Sequence, residues 1–598
     1  MTQSYGANVA RGKTHFAVRS PRASAVWLCL FEGDLEQRIA MHREGDDWLA
    51  KLTGDHSDTR YGYRAEGEWA PERGLWFDPA KLLVDPYALE LDRRFVQDPR
   101  LAEYGTDTAA LVPRAVVLGQ LPKVRQRKPQ FERGGLIYEL NVRSFSMLHP
   151  DVPESQRGTV AALANPAIIA HLKKLHVKAV ELLPVTAWID ERHLPPLGLS
   201  NAWGYNPVTM MALDPGLCPG GVSELRAMVA ALHKAGIGVI LDLVFNHTGE
   251  SDVHGGVLSL RGLDDSAYAR APDGSLINDT GCGNTLDFAN PAVRQLTLDS
   301  LRHFVRHCGV DGFRFDLATV MARGPDFSSN APIFAEIAAD PLLADRIMIA
   351  EPWDIGPGGY QLGQFPPHWL EWNDRYRDDV RRFWRGDGTI GALVTRLAGS
   401  SDLFGEDCRT VNFLATHDGF TLADTVAYAE RHNHANGEGN RDGHGENYSW
   451  NNGVEGCSTD PCVTAARGSD LRALLATLFA STGTIMLSAG DEFGRSQRGN
   501  NNAYAQDNPI CWIDWENRDH ALEDFVVNIA RLRMSRSASS THFPQHGTWL
   551  RPDHCPMTVD DWEDLRADEV TYAPTPSAEY GSLRISRSGR MVIWEMLD

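Results

Sequence analysis

The stretch NPAVRQLTLDSLRHFVRHCGVDGFRFDLA, residues 290–318, contains a helix, a glycine stop, a buried strand and a carboxylate in that order. Asn290 can cap the helix, and Pro291 suits its first turn. One face of the helix carries the apolar side chains of Leu301, Phe304, Val305 and Cys308. The apolar run GFRFD follows and ends on Asp316, a residue type normally kept out of buried strands. The stretch predicts one unit of a parallel α/β fold with Asp316 at the end of its strand.

The same order of elements recurs along the chain. SELRAMVAALHKAG (223–236) precedes the strand candidate VILDLVF (239–245), and SDLRALLATLFASTG (469–483) precedes TIMLSAG (484–490). Two further strand candidates are LIYELNV (136–142) and KAVELLPV (178–185). Helices that alternate with strands ending in polar residues are typical of a (β/α)₈ TIM barrel, whose active site lies at the C-terminal strand ends.

The sequence on either side of the barrel predicts a multidomain α/β protein. Residues 1–118 contain short strand-like runs broken by Gly, Asp and Pro, which indicates an N-terminal β-sandwich. Residues 119–135 are basic and aperiodic, as expected of a linker. We assign 136–540 to the barrel and 541–598 to a short C-terminal β domain. Because the barrel segment is long, we expect inserted loops at 186–220, 248–290 and 421–468, where they would form a substrate rim.

Composition excludes several classes of partner. The chain has 598 residues and a net charge of −21, which argues against nucleic acid as a ligand. Its start lacks the pattern of a signal peptide, and no apolar run is long enough to span a membrane, so we expect a cytoplasmic protein. The nine cysteines are scattered, and Cys457 and Cys462 are expected to be loop thiols. We expect no metal and no organic cofactor.

Acidic residues end several of the apolar runs and suggest one active site. They are Asp316, Glu351 in IMIAEPWD (347–354) and Asp418 in NFLATHDGF (412–420). Cleavage of a glycosidic bond needs one carboxylate as nucleophile and one carboxylic acid to protonate the leaving oxygen. We assign Asp316 as nucleophile and Glu351 as acid/base, since the apolar neighbours of Glu351 raise a carboxyl pKa by desolvation. Asp418 would stabilise the oxocarbenium-like transition state.

Further polar and aromatic residues are candidates for binding the sugar. Arg314 lies two residues before Asp316 on the same strand, so both side chains point the same way. The remaining candidates are Tyr205 as a stacking platform, Asp242 and His247 of VILDLVFNHT (239–248), which either bind the sugar or support Asp316, His417 and Trp353. Each residue alone also fits a structural role, as a cap, an ion pair or core packing. Their joint occurrence at four strand ends favours catalysis.

With these residues in place, the chain resembles the α-amylase family of glycoside hydrolases, family 13. The four signature segments of that family match DLVFNH (242–247), GFRFD (312–316), the Glu of IAEPWD (349–354) and THD (416–418). The resemblance implies the same roles for Asp316, Glu351 and Asp418. It also implies sugar contacts from Asp242, His247, Arg314 and His417.

Longer segments resemble the bacterial glycogen debranching enzymes and isoamylases within that family. They are NAWGYNP (201–207), TGCGNTLDFANPAV (280–293), HNHANGEGNRDGHGENYSWNNGVEG (432–456) and AGDEFGRSQRGNNNAYAQDN (489–508). The resemblance implies hydrolysis of α-1,6 branch points in glycogen, limit dextrin or amylopectin, and an N-terminal module of the glucan-binding type. Alternatives are another family 13 activity, namely α-1,4-glucan hydrolysis, malto-oligosyltrehalose hydrolysis or transglycosylation, and a non-catalytic glucan-binding protein.

Overall fold

The computed structural model describes residues 5–535, 547–574 and 581–595. The N-terminal part contains two four-stranded antiparallel sheets, of order β1-β2-β6-β5 and β10-β7-β3-β4, and a small β8-β9 ribbon. The strands are β1 (Gly6–Ala10), β2 (Lys13–Arg19), β3 (Ala25–Glu32), β4 (Leu35–Ala40), β5 (His42–Glu44), β6 (Asp47–Thr53), β7 (Arg60–Glu66), β8 (Trp69–Ala70), β9 (Leu75–Trp76) and β10 (Ala115–Val116). Phe16 and Trp48 from one sheet share a core with Leu28 and Tyr63 from the other, so the sheets pack as the predicted sandwich.

Eight parallel strands close the predicted barrel in sequence order. They are β11 (Leu136–Leu140), β12 (Ala179–Leu182), β13 (Gly238–Leu243), β14 (Gly312–Phe315), β15 (Ile347–Ala350), β16 (Leu370–Asn373), β17 (Thr410–Asn412) and β18 (Thr484–Ser488). The sequence reading did not find β16, because its four residues, LEWN, carry a buried Glu and Asn that break the apolar pattern. β17 also ends earlier than expected, so Asp418 lies on the loop after the strand.

The α-helices mostly follow or connect the barrel strands, and the last of them lies in the C-terminal part of the chain. They are α1 (Val142–Ser146), α2 (Pro166–Lys174), α3 (Gly221–Lys234), α4 (Leu260–Leu263), α5 (Pro291–His303), α6 (Pro332–Ala339), α7 (Asp374–Arg385), α8 (Ile390–Leu397), α9 (Ser401–Phe404), α10 (Leu422–Thr425), α11 (Pro461–Ala480), α12 (His520–Met534) and α13 (Val559–Glu563). In α5 the side chain of Asn290 caps the N-terminus, as the sequence predicted. A π-helical turn over Phe304–Cys308 extends this helix to Gly309, whose φ of 79° ends it in the left-handed conformation.

The barrel interior is apolar at one level and polar at the next. Ile137, Ala179 and Ile240 belong to a buried cluster, whereas the residues two positions further along their strands are Glu139, Glu181 and Asp242. All three acidic side chains are buried. Because alternate residues of a strand face the same side, the strands β11–β13 direct carboxyls towards the C-terminal end of the barrel.

A four-stranded antiparallel sheet follows the barrel, in the order β19 (Gly547–Leu550), β20 (Glu569–Pro574), β21 (Ser582–Ser586) and β22 (Met591–Glu595). The C-terminal β domain predicted for 541–598 also includes residues 541–546, 575–580 and 596–598, which lie outside the described part. The exact domain boundaries stay predictions. Among the described residues, none of the helices is both long enough and apolar enough to cross a membrane.

Candidate active site

Arg314 lies at the centre of the carboxylate cluster at the C-terminal end of the barrel. Its Nη1 is 2.9 Å from Asp242 Oδ2 and 3.0 Å from Asp316 Oδ1. Its Nη2 is 3.1 Å from Glu351 Oε1. The guanidinium is fully buried and stacks over Trp372 at 4.2 Å from the ring centroid. One arginine therefore holds three carboxyls from three neighbouring strands.

The turn after β14 fixes Asp316 against its neighbours. Asn246 donates a hydrogen bond from Nδ2 to Asp316 Oδ2 at 2.7 Å. Leu317 follows with a φ of 40°, a left-handed conformation that is rare for a residue with a side chain. This turn directs the Leu317 N–H to Glu351 Oε2 at 2.7 Å. The strained turn thus connects the two candidate catalytic carboxyls.

The surroundings of Glu351 raise the pKa of its carboxyl. Burial raises the pKa of its carboxyl to about 7, although the charge of Arg314 works in the opposite direction. The negative charge of Asp316 raises it further. Glu351 can thus carry a proton near neutral pH, which is what a general acid needs.

Asp418 lies on the loop after β17 and contacts a histidine, His444, from the long loop above the barrel. Burial raises the pKa of the Asp418 carboxyl, but the hydrogen bond from His444 Nε2 at 2.9 Å and the charges of both neighbouring histidines lower it below its usual range. Asp418 therefore stays ionised, as a residue that stabilises positive charge must.

His417 and Tyr205 form one wall of the site. The two rings stack with centroids 4.9 Å apart, and the Tyr205 hydroxyl donates to Asp242. His247 is buried, with Nδ1 against Asn246 Oδ1 and Nε2 2.9 Å from the Tyr205 carbonyl. This arrangement fits the second alternative for His247, support of the residues around Asp316, since its ring nitrogens face protein atoms.

The structure thus brings together eight of the nine predicted site residues. The exception is Trp353, which packs half-buried against the apolar cluster inside the barrel. Sequence reasoning missed Glu139, which contacts His417, although a carboxylate inside LIYELNV is the same signal that identified Asp316. It also missed His444, for which a long loop without periodicity offers no signal. Asn246 lies within the segment VILDLVFNHT (239–248), but the sequence alone gave it no role.

No group of three or more His, Cys, Asp or Glu side chains suited to a metal ion occurs among the described residues. All nine cysteines, including Cys457 and Cys462, fall within that described part and are free thiols.

The comparisons with known proteins agree with this architecture. Residues 4–88 match the carbohydrate-binding module 48, the isoamylase N-terminal domain. A solved structure of pullulanase type I from Bacillus subtilis str. 168, complexed with maltose, matches 98% of this chain and 78% of its own with a TM-score of 0.72. At 21% identity, that likeness shows the shared fold. The chain combines an N-terminal carbohydrate-binding module with a barrel that carries this carboxylate cluster. That combination defines the class of multidomain glycoside hydrolases.

Close relatives narrow the class. The glycogen debranching enzyme of Yersinia enterocolitica is 48% identical over 540 residues, covering 87% of this chain and 81% of the relative. The glycogen debranching enzyme of Serratia proteamaculans is 45% identical, covering 92% and 87% respectively. The chain belongs to the glycogen debranching enzyme family.

Proposed function

We propose that this protein hydrolyses the α-1,6 branch points of glycogen, limit dextrin or amylopectin with retention of configuration. One observation carries the mechanism: Asp316 and Glu351 occupy the two terminal nitrogens of the same guanidinium. Two carboxyls that share one guanidinium are neighbours, which supports a retaining mechanism, in which one carboxyl attacks the sugar while the other protonates the leaving oxygen. The names of the relatives support the choice of bond and substrate.

In the first step Glu351 protonates the departing O6 of the branch point while Asp316 attacks the anomeric carbon. The products are the shortened glucan and a covalent glycosyl-enzyme. Glu351, now ionised, then removes a proton from water, and the resulting hydroxide displaces Asp316. The ionised Asp418 stabilises the positive charge that develops on the sugar in both steps.

Arg314 and Asn246 orient the nucleophile within this scheme. Arg314 Nη1 donates a hydrogen bond to Asp316 Oδ1, and Asn246 Nδ2 donates one to Asp316 Oδ2. Tyr205, Asp242 and His417 form the wall that we assign to sugar binding, whereas His247 supports the residues around Asp316. Trp353 is a weaker candidate, because it packs against the barrel interior.

The N-terminal module and the inserted loops fit a polymeric substrate. The module shares its core with Ala187, Ile189 and Val208 of the first inserted loop, so it is fixed to the rim of the site. We also assign the protein to the cytoplasm, in keeping with its nine free thiols. The net charge of −21 supports a neutral glucan rather than nucleic acid as partner.

A product profile on glycogen, phosphorylase limit dextrin, pullulan and linear amylose tests the proposal. Release of linear malto-oligosaccharides from the branched substrates, with amylose left intact, is the expected result. Shortened amylose would instead assign an α-1,4 hydrolase or transferase. Release of no product from any substrate would favour a non-catalytic glucan-binding protein.

A further inference from the structure

A cavity of about 390 Å³ lies at the N-terminal end of the barrel, opposite the active site. The basic segment 123–135 runs past it, and α3, Gly309 and Asp311 complete its wall. Six cationic side chains line the cavity, namely Arg125, Arg127, Lys128, Arg226, Lys234 and Arg346. Asp311 is the single acidic residue in the lining.

The carboxylate of Asp311 is already bonded to other groups of the protein. Its Oδ1 accepts the Gln130 N–H at 2.7 Å, and its Oδ2 accepts the Val239 N–H at 2.7 Å. His233 Nε2 lies 2.6 Å from the same Oδ2. The carboxylate therefore ties segment 123–135 to the barrel and does not neutralise the cavity.

Most of the cations lack a carboxylate partner. Within the described ranges, Arg346 pairs with Asp345, but Arg125, Arg127, Lys128, Arg226 and Lys234 have no acidic group at ion-pair distance. Nη1 of Arg226 is buried and has no hydrogen-bond partner there. A buried guanidinium nitrogen without an acceptor costs free energy that a bound anion would offset.

The rest of the molecule makes this cluster unusual. The whole chain carries a net charge of −21, so its acidic side chains outnumber its cationic ones. Concentrating unpaired cations around one concave site creates a local positive potential, which focuses small anions. The cavity volume falls within the range of small-molecule sites, roughly 300–1,000 Å³. A concave shape and the negative overall charge both disfavour a long polyanion.

We propose that this cavity binds a small phosphorylated anion, of the size of pyrophosphate or a sugar phosphate. Arginine recognises phosphate oxygens through paired N–H donors, and several arginines around one pocket suit a group with more than one negative charge. The Nη1 of Arg226 would supply one of these donors. The proposal is independent of the chemistry at Asp316 and Glu351, which lie at the other end of the barrel.

Titration calorimetry with inorganic pyrophosphate, in metal-free buffer at 150 mM NaCl, tests the proposal on the full-length protein. We expect saturable binding of one pyrophosphate per chain. The variants Arg226→Gln and Arg125→Gln should each weaken the affinity about tenfold or more, since each removes a charged donor. Arg584→Gln, which removes an exposed arginine paired with Glu569 in the C-terminal sheet, is the matched control and should leave the affinity unchanged.

Circular dichroism and debranching activity of each variant establish that it is folded. Equal affinity of the wild type, Arg226→Gln and Arg584→Gln would overturn the proposal, because it would assign the binding to general surface charge. Absence of pyrophosphate binding combined with saturable binding of a nucleic acid at the same arginines would also overturn it. If the wild-type protein binds pyrophosphate but does not hydrolyse glucan, the result would contradict the proposed function and still support the anion site.

Discussion

Glu139 Oε1 accepts a hydrogen bond from Nδ1 of His417 at 2.7 Å, inside the barrel and away from solvent. Burial alone lowers the pKa of the imidazole, but the charge and hydrogen bond of Glu139 raise it above its usual value. The contact fixes which ring nitrogen faces the protein, and it favours the imidazolium. Glu139 therefore positions His417 against Tyr205 and favours its cationic form.

The variant Glu139→Gln tests this relationship. The amide keeps the shape of the side chain but removes the charge, so the pKa of His417 falls and the imidazolium is lost at lower pH. Since the folded-state pKa is raised in the wild type, the benefit of the contact is present below the unfolded value and disappears as pH rises through the folded one. We expect kcat/KM to fall roughly 10- to 100-fold at pH 6 and less at pH 8, where the benefit of the contact is already smaller in the wild type.

Glu181 offers the matched control for that measurement. It pairs with Glu139 in the register of β11 and β12 and is equally buried, but burial raises its pKa well above the usual value. The neutral form of Glu181 is therefore favoured, and Glu181→Gln should leave the pH profile of kcat/KM unchanged. Equal losses in both variants would indicate a packing effect and contradict the positioning role of Glu139.

The catalytic assignment predicts a loss of turnover without a loss of fold. Asp316→Ala removes the nucleophile, whereas Glu351→Gln removes the proton donor and keeps its volume. Each should lower kcat by several orders of magnitude, as covalent and acid–base steps both require these groups. Arg314 keeps other carboxyl partners in either variant, so thermal unfolding should change little. Near wild-type turnover from either purified, folded variant would rule out the assignment.

The barrel could be predicted well from the sequence because its repeating helix–strand pattern lies within short stretches of the chain. Within one short stretch, such as 290–318, each unit shows the helical spacing of its apolar residues and the glycine that ends the helix. The strand and its terminal acidic residue follow directly. β16 was missed because a four-residue strand with buried Glu371 and Asn373 has no apolar period. The contact between His444 and Asp418 joins positions on two different loops. The sequence around either residue does not predict a contact with the other. Tertiary loop contacts of this kind are invisible in a single sequence.

The raised pKa of Glu351 predicts the alkaline limb of the pH profile. Its carboxyl is protonated up to about pH 7, so the acid is available at neutral pH and lost above it. We expect kcat/KM to decline as pH rises through about 7, with the apparent value belonging to the interacting pair Asp316 and Glu351. The same raised value means that this carboxyl favours the folded state at low pH and destabilises it as pH rises from about 4.5 to 7.

Initial rates on limit dextrin across pH 5–9, with circular dichroism at each pH, provide the measurement. The dichroism separates loss of protonation from loss of fold. A rate that stays constant up to pH 9 in folded enzyme would show that Glu351 is not the group whose proton limits the first step.

A buried amide network holds the loop that carries His444, and Asn501 is its centre. Asn501 is fully buried, accepts from Asn433 Nδ2 at 2.8 Å, and donates to the His444 carbonyl and to Asn447 Oδ1, both at 2.9 Å. Asn501→Ala leaves buried polar groups without partners, at a cost of about 1–3 kcal/mol for each. We expect faster amide hydrogen exchange over residues 432–447 and a KM raised severalfold, because His444 no longer has a fixed position beside Asp418.

The control variant is Asn517→Ala, which removes an exposed amide paired with Asp514 and should change neither the exchange rate nor KM. Unchanged exchange in Asn501→Ala would mean that the loop is held by other contacts.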